Sequence, residues 1–461
     1  MASFTEKVGY GLGDMSSSMF WKIFMAYLPF FYSNIYGLSL EATALLVIVA
    51  RIWDAVSDPM MGILADRTQT RWGKYRPYLL WISAPFAIAG VLLFTIPSGD
   101  ETTKLIWAYA TYLLMMTVYT AINVPYGSML AVMTDDSDEK TTFSSYRMLF
   151  AYAGSFVVLF AWEPLCRYFN GLQGLAPEVL SAQSWQYGMI VVSAMCFVLF
   201  VFTFAMTRER LRPISTGSIA GDLRSLLCNG PWWLLLGGIM SFNFLNAIRY
   251  TVIPFFFTSV VAADARISLF SFEMLFYAGL FFSVGEVANM VGVAVAAPIA
   301  RGLGKKGTFL FGLIGLALSS AVFYFVPLDA YLLMLLLQVV FCVITGIMSP
   351  LVWSMYADVS DYAELELHTA STGLIFSSSS MAQKFGNSLG AGSVMMMLVF
   401  VGYSTTPGAV QTPDAIDGLR AIISFAPAVV AALSFVFIAF YPLGKQRMHD
   451  INLRLAASRR R

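Results

Sequence analysis

The chain has 461 residues, of which 58% are hydrophobic and 12% are charged, and its mean hydropathy is +0.71. Soluble proteins average about 45–50% apolar and about 25% charged residues, so this composition excludes an ordinary soluble protein. It predicts an all-α polytopic membrane protein that lies in the lipid bilayer. The net charge of +1 gives no electrostatic reason to expect a nucleic-acid partner. The four cysteines lack metal or redox spacing, and we expect them to be packing residues.

Apolar runs of about 20 residues, the length that spans a bilayer, recur along the whole chain. The basic residues gather at the termini and in the loops after even-numbered runs, so both termini are predicted to be cytoplasmic. The polar stretch 208–230 is the predicted linker between bundles 1–207 and 231–445, and 446–461 is a basic cytoplasmic tail. The runs predict twelve transmembrane helices, at about 9–36, 42–66, 75–96, 104–133, 143–169, 185–207, 231–260, 270–300, 307–326, 330–356, 370–403 and 418–442.

The two halves resemble each other at two places. Residues 122–131 and 347–357 each contain a proline and run into an acidic loop. Pro59–Lys74 and Pro298–Gly307 each end in a basic turn that contains glycine. Related halves are common in secondary carriers, which hold the substrate near the midplane between them. The pattern predicts two pseudo-symmetric six-helix bundles.

Two acidic residues interrupt the second apolar run. Asp54 and Asp58 are four residues apart, so a helix places them on one face. Each carboxylate in mid-membrane costs roughly 2.5–3.5 kcal/mol on insertion scales, which indicates a function or a partner. Together with the hydroxyl of Ser57 they offer hard oxygen ligands for a small cation such as Na+. The sequence therefore predicts an ion or proton site, and the alternative is a structural ion pair with Arg51.

Three motifs in this order resemble one known family. Gly9–Asp14 has the sequence GYGLGD, Arg51–Gly62 is followed by DR and RWGK, and Asp361–His368 has the sequence DYAELELH. The chain resembles the melibiose permease-like glycoside-pentoside-hexuronide:cation symporters of the major facilitator superfamily. The resemblance implies the major facilitator fold and a carrier, not an enzyme, that imports a sugar or glycoside with Na+ or H+ by alternating access.

The resemblance also implies site residues. It places the coupling ion, with no other cofactor, at Asp54, Ser57, Asp58 and Thr120, and the sugar at Ser18, Asn123, Gly127, Arg147, Trp353 and Lys384. The family pattern has acids at the positions of Ser18 and Asn123 and an aromatic residue at that of Gly127. This departure predicts a neutral, roomier pocket and a different substrate, with pentosides, β-glycosides and uronides all open.

Further candidates come from the residues themselves. Lys22 shares a helix face with Ser18 and lies too deep to reach the interface easily, so it needs an acidic partner or a substrate. A guanidinium at Arg249, deep in the seventh run, has the same two alternatives. The ring of Tyr119 is a candidate to stack on a sugar.

The loop after the second helix contains Asp66, Arg67, Arg71 and Lys74. It resembles the cytoplasmic gating motif of the superfamily, in which acid and base pairs close the inner side, and its alternative is plain topogenic charge. The chain is expected to work as a monomer in the bacterial inner membrane. The alternatives left open are a hexuronide or glucuronide symporter, and a sugar sensor that keeps a carrier fold but does not transport.

Overall fold

A computed structural model describes residues 3–134, 137–175, 180–210, 226–262, 264–269, 272–367, 372–406 and 409–459. His368 lies outside the described residues, as does most of the predicted linker. The side chains of Arg51 and Asp66 also lie outside the description, so the predicted roles of these two residues stay predictions.

The chain forms two compact units. The first unit contains Met1–Ile214, Ala278–Ser283 and Tyr403–Val410, and the second contains Ser215–Tyr277, Val284–Gly402 and Gln411–Arg461. The helices of the first unit are α1 (Phe4–Phe30, continued by a π-helix over Phe31–Tyr36), α2 (Leu40–Arg67), α3 (Arg76–Trp81), α4 (Ser83–Leu93), α5 (Glu101–Met133), α6 (Ser137–Leu172) and α7 (Ala182–Met206).

The second unit has a similar helix content. Its elements are α8 (Gly230–Val260), strands β1 (Arg266–Leu269) and β2 (Phe272–Leu275), α9 (Ala278–Leu303), α10 (Lys305–Tyr324), α11 (Tyr331–Glu366), α12 (Thr372–Phe400), α13 (Pro413–Phe440) and α14 (Lys445–Arg459). The two strands pair antiparallel as a hairpin. The first turns of α9 belong to the first unit, and the rest of this helix belongs to the second.

Seven helices of the described chain are long and apolar enough to cross a membrane by length and composition alone. The predicted all-α polytopic architecture is confirmed, because helical segments occupy all twelve predicted spans. The helices α1 and α2 are not among these seven. They contain many of the candidate site residues, whose polar side chains lower the hydropathy of the two helices.

Two predicted spans differ from the observed elements. The third span is not one helix but two, α3 and α4, which are separated at Ile82. Pro85 lies just after this break and has no N–H to donate to the carbonyl of Trp81 four residues earlier. The eighth span begins at Ala278 rather than near residue 270, because the apolar residues before it form the hairpin. Hydropathy alone does not separate a short apolar strand from the start of a helix.

Glycines allow close helix packing in the second unit. A Cβ on Gly292 of α9 would collide with the carbonyl oxygen of Val343 in α11, and one on Gly346 would collide with that of Asn289. Small residues at such contacts let two backbones approach each other, which is how helices commonly associate in lipid. The pair fixes α9 against α11.

Candidate cation and substrate site

The candidate cation residues lie on α2 and α5 of the first unit. Asp54 and Ser57 are buried on α2, with 2% and 7% of their surfaces exposed, and Asp58 is half-buried one turn beyond Asp54. Thr120 of α5 is also buried, and its hydroxyl donates a hydrogen bond to Oδ1 of Asp58 over 2.7 Å. The structure therefore brings together the acid and the hydroxyl that the sequence placed 62 residues apart.

These residues supply oxygen atoms only. Carboxylate and hydroxyl oxygens are hard ligands that suit small cations. Among the described residues, no three His, Cys, Asp or Glu side chains form a metal-binding group. A cation site at Asp54, Ser57, Asp58 and Thr120 stays a prediction.

A second contact fixes α2 against α5 nearby. The indole N–H of Trp53 donates to Oγ1 of Thr117 over 2.7 Å. Thr117 lies about one helical turn before Thr120 on α5, and the two hydroxyls meet two different residues of α2, Trp53 and Asp58. This pairing fixes the register of the two helices at the candidate cation site.

Two predicted substrate residues of α5, Tyr119 and Asn123, form a polar strip with Ser17 and Trp21 of α1. The hydroxyl of Ser17 donates to Oδ1 of Asn123 over 2.7 Å, and the Asn123 amide donates to the backbone oxygen of Tyr119 over 3.1 Å. The ring of Tyr119 lies 5.2 Å from that of Trp21. Ring and amide thus lie side by side, an arrangement suited to a sugar, which offers an apolar C–H face and hydroxyl groups.

Three predicted substrate positions flank this strip. Ser18 and Lys22 are half-buried one turn apart on α1. Gly127 is exposed on α5, and a Cβ built on it would meet no atom within 4 Å. The space expected at Gly127 is therefore present. The sequence analysis missed Ser17, since in a run of three serines hydropathy cannot indicate which one faces α5.

Arg147 of α6 is an internal ion-pair partner. Its Nε lies 3.1 Å from Oδ2 of Asp14 on α1, and its guanidinium lies 5.4 Å from the ring centre of Tyr126. The hydroxyl of Tyr126 donates to the backbone oxygen of Tyr10 over 2.6 Å. Asp14 therefore neutralises the charge of Arg147 and ties α6 to α1. The GYGLGD motif supplies both Tyr10 and Asp14.

Arg249 of α8 is enclosed within the second unit. Only 1% of its surface is exposed. Its Nη2 donates to Oε1 of Gln338 over 3.0 Å, and its Nη1 donates to the backbone oxygen of Ile423 over 3.2 Å. The rings of Phe323 and Phe341 lie 4.8 and 4.7 Å from the guanidinium. None of these four partners is a predicted substrate residue, and a substrate role for Arg249 stays a prediction.

The other two candidates of the second unit differ in exposure. Trp353 of α11 has 41% of its surface exposed, whereas Lys384 of α12 is half-buried and its backbone oxygen accepts from the hydroxyl of Ser388 over 2.8 Å. Their substrate roles also stay predictions.

The loop after α2 has an acidic partner that the sequence analysis missed. The carboxylate of Glu209, which follows α7, accepts from the backbone amides of Lys74, Tyr75 and Arg76 over 2.7, 2.7 and 2.6 Å. Gly73 has φ +120°, and a Cβ on it would lie 2.5 Å from the carboxyl carbon of Glu209. The glycine of the RWGK motif therefore gives clearance to an incoming carboxylate.

The predicted gating bases of this loop have local aromatic partners. The guanidinium of Arg71 lies 4.7 Å from the ring centre of Trp72, and the amine of Lys74 lies 5.0 Å from that of Tyr75. Arg67 is exposed at the end of α2. Their gating role stays a prediction.

Residues 9–445 match the family described as MFS/sugar transport protein. The chain belongs to this family. Members of the MFS sugar-transport family are membrane transporters, so the expectation that the chain is not an enzyme is confirmed, as is the resemblance from which it came.

Sequence similarity to known transporters extends over the whole chain. The chain is 31% identical to the inner membrane symporter YicJ of Escherichia coli over 100% of its own length and 96% of that protein. It is 29% identical to the isoprimeverose transporter of Lactiplantibacillus pentosus, over 96% of this chain and 90% of that one. The crystal structure of the nucleoside transporter NupG aligns with a TM-score of 0.66 at 13% identity, over 96% of this chain and 100% of that one. The last likeness supports the major facilitator fold.

Proposed function

We propose that the chain imports a sugar or glycoside by symport with Na+ or H+ through alternating access. The observation that carries this proposal is the hydrogen bond from Thr120 to Asp58. It joins two membrane helices at an acidic group, which is expensive to place in lipid without a function. In a member of a sugar-transport family, a carboxylate held in this way supports a site for the coupling ion.

In this mechanism the ion binds first. The carboxylates of Asp54 and Asp58 supply the charge, and the hydroxyls of Ser57 and Thr120 supply further oxygens. Binding removes the cost of two negative charges in the membrane and so favours the state that takes up sugar. Ion and sugar then each raise the affinity for the other by the same factor, since such coupling is reciprocal.

The contacts favour a neutral sugar. Arg147 is paired with Asp14, and Arg249 donates to Gln338 and to the backbone of Ile423, so neither guanidinium is a ready partner for a substrate carboxylate. The Ser17–Asn123 hydrogen bond and the rings near it suit hydroxyls and a C–H face. Similarity to an isoprimeverose transporter supports the same class.

The proposal includes the membrane, the orientation and the oligomeric state of the transporter. The chain is a multi-pass membrane protein, and its similarity to an inner membrane symporter supports a place in the bacterial inner membrane. The basic loops support cytoplasmic termini. A single chain contains both bundles, which supports a monomeric carrier.

Uptake into proteoliposomes tests the proposal. The panel is a xyloside, a β-glucoside, an α-galactoside and a glucuronide, each with a sodium or a proton gradient imposed separately. We expect a neutral glycoside to accumulate under one gradient, which identifies the ion. If only the glucuronide accumulates, the proposal of a neutral sugar substrate is contradicted. The absence of all uptake, with sugar binding retained, would favour a sensor.

The variant Asp58→Asn tests the ion site. We expect it to exchange sugar across the membrane but to lose accumulation against a gradient, because the amide cannot supply the charge that couples ion and sugar. The control is Glu41→Gln, an acid exposed in the first turn of the same helix, which should accumulate sugar normally. Full accumulation by Asp58→Asn would contradict the assignment.

A further inference from the structure

Glu163 of α6 is an acidic residue away from the candidate site. Its Oε1 accepts a hydrogen bond from the hydroxyl of Tyr27 on α1 over 2.9 Å, and another from the backbone N–H of Gly279 over 3.1 Å. Gly279 lies in the first turn of α9. One carboxylate therefore connects three helices of the first unit.

The contact with α9 completes the end of a helix. The first amides of a helix have no partner within it, and a nearby negative charge is favourable there. The residue before α9 is Tyr277, whose side chain makes no capping hydrogen bond. Glu163 thus acts as the cap of α9 from a different helix.

Two further contacts hold the same stretch of α9. The hydroxyl of Ser283 lies 3.4 Å from the backbone oxygen of Phe156, which is two turns before Glu163 on α6. The ring of Phe282 packs edge-on against Tyr27 at 5.8 Å between ring centres. Residues Ala278–Ser283, which make these contacts, belong to the first unit, and α9 continues into the second unit from Val284.

We propose that Glu163 is a positioning residue that holds the first turn of α9 in one state of the transport cycle and releases it in the other. This inference rests on the proposed alternating access, in which one bundle moves against the other. A helix shared by both units cannot keep partners at both ends through such a movement. The attachment to α1 and α6, made by Glu163, Phe156 and Tyr27, is the weaker of the two, because beyond Ser283 all the remaining turns of α9 belong to the second unit.

The predicted topology places this contact on the outer side of the membrane. With cytoplasmic termini, the end of α6 and the start of α9 both face outward. A second stretch on that side, Tyr403–Val410, is likewise grouped with the first unit, and the hydroxyl of Tyr403 accepts from the amide of Asn34 over 3.0 Å. Weakening the contact at Glu163 should therefore favour the state that is open to the outside.

Thiol labelling of the start of α9 tests this. Ala278, only 3% exposed, is changed to cysteine in a full-length chain in which Cys166, Cys196, Cys228 and Cys342 are replaced by serine. Right-side-out vesicles are then treated with a membrane-impermeant maleimide. In Glu163→Met we expect labelling about tenfold faster than in the parent, the shift that the loss of one hydrogen bond to a charged group typically gives. Glu163→Gln keeps an oxygen acceptor but loses the charge, so its increase should be smaller.

The matched control is Asp100→Asn. Asp100 caps α5 by accepting from the amide of Thr103 over 3.1 Å, so this variant removes the charge of another acidic cap without touching α9, and it should label like the parent. Equal labelling of Glu163→Met and the parent would overturn the proposal. If Glu163→Met does not reach the membrane, an unchanged rate in Glu163→Gln overturns it instead.

Sugar uptake measured in the same vesicles separates this inference from the proposed function. If the parent chain transports no sugar but Glu163→Met is still labelled faster than the parent, the proposed role of Glu163 at α9 is supported and the proposed symport is contradicted. If the parent chain takes up sugar normally and the variants are labelled at the rate of the parent, the proposed symport is supported and the proposed role of Glu163 is contradicted. In a transporting chain, Glu163→Met should change the maximal rate of uptake more than the affinity for the ion, because Glu163 touches neither cargo.

Discussion

Thr117 and Thr120 lie about one turn apart on α5 and meet different residues of α2. Thr120 donates to Asp58, whereas Thr117 accepts from Trp53. Changing Thr120 to valine keeps the shape of the side chain but removes an oxygen beside the carboxylate. In the proposed site the Thr120 oxygen is a ligand of the ion, and one polar contact to a charged group contributes about 1.5–3 kcal/mol, so we expect about tenfold or greater loss of affinity for the coupling ion.

The ion dependence of sugar uptake measures this effect. Thr117→Val is the control, because it removes a hydroxyl of the same helix that contacts an indole rather than an acid. Its half-saturating ion concentration should stay close to that of the unmodified chain. Equal shifts in the two variants would mean that the hydroxyls act only on helix packing and that Thr120 is not part of the ion site.

The residue scale also shows what the sequence could predict. The acids of α2 were predicted from their place inside an apolar run, whereas Thr120 was predicted only from the resemblance. The hydrogen bond from Thr120 to Asp58 agrees with a common role. For Arg249 the sequence predicted an acid or a substrate as partner. The structure instead gives it Gln338 and the backbone of Ile423, which are 89 and 174 residues away. Neutral acceptors on distant helices leave no pattern along a chain.

At the scale of elements, basic side chains complete the ends of helices in both units. Arg76, at the start of α3, donates to the backbone oxygen of Phe204 near the end of α7 over 2.7 Å. In the second unit, Lys306, at the start of α10, donates to that of Ala439 near the end of α13 over 2.8 Å. Cations are favourable at helix C-termini. The basic turns that mark topology in the sequence therefore also cap helices.

In each unit, a residue that follows the last membrane-spanning helix contacts a glycine of the basic turn. Glu209 lies over Gly73, while Lys445 lies against Gly304, which has φ +76°, and donates to the backbone oxygen of Arg301 over 2.9 Å. The acid meets amides at a helix start, and the base meets carbonyls at a helix end. The repeat seen in the sequence thus has a structural counterpart in which the charge is reversed. Hydropathy could predict the turns but not these contacts, because Glu209 follows the last apolar run of its half.

This arrangement predicts that the contributions of Glu209 and Gly73 to the free energy of unfolding depend on each other. Glu209→Ala leaves three amides without their acceptor, and Gly73→Ala places a Cβ in the position of the carboxylate in a backbone conformation that side chains rarely adopt. Each change should lower the free energy of unfolding by about 2 kcal/mol or more. The double variant should cost little more than either alone, as expected for residues in contact.

Thermal unfolding of the purified protein in detergent, followed by tryptophan fluorescence, measures these changes. Gly171→Ala is the control, since a Cβ at this helical position meets nothing within 4 Å, and it should unfold at or slightly above the temperature of the unmodified chain. Additive losses in the double variant would show that Gly73 and Glu209 stabilise the protein separately.

At the scale of the whole molecule, the sequence predicted more of the architecture than of the contacts. Twelve spans follow from runs long enough to cross a bilayer, and lipid leaves little choice but helices for them. The break at Ile82 and the hairpin before α9 were missed, because both depend on local backbone chemistry inside apolar sequence. The sharing of α9 between the units was also beyond prediction, since its first turns are held by Glu163, by the backbone oxygen of Phe156 and by the ring of Tyr27, contacts that hydropathy does not indicate.

The last prediction concerns the coupling of the two cargoes. If ion and sugar bind in one cycle, saturating ion should raise the affinity for the transported glycoside, and saturating glycoside should raise the affinity for the ion by the same factor, typically about 5- to 150-fold. Titration calorimetry of the purified protein measures both directions. In Asp58→Asn both factors should fall towards one, because the carboxylate that gives the ion its differential affinity is gone, whereas Glu41→Gln should keep them. Factors that differ between the two directions would show that the titrations report separate sites, and equal factors retained in Asp58→Asn would move the coupling to another acid of the chain.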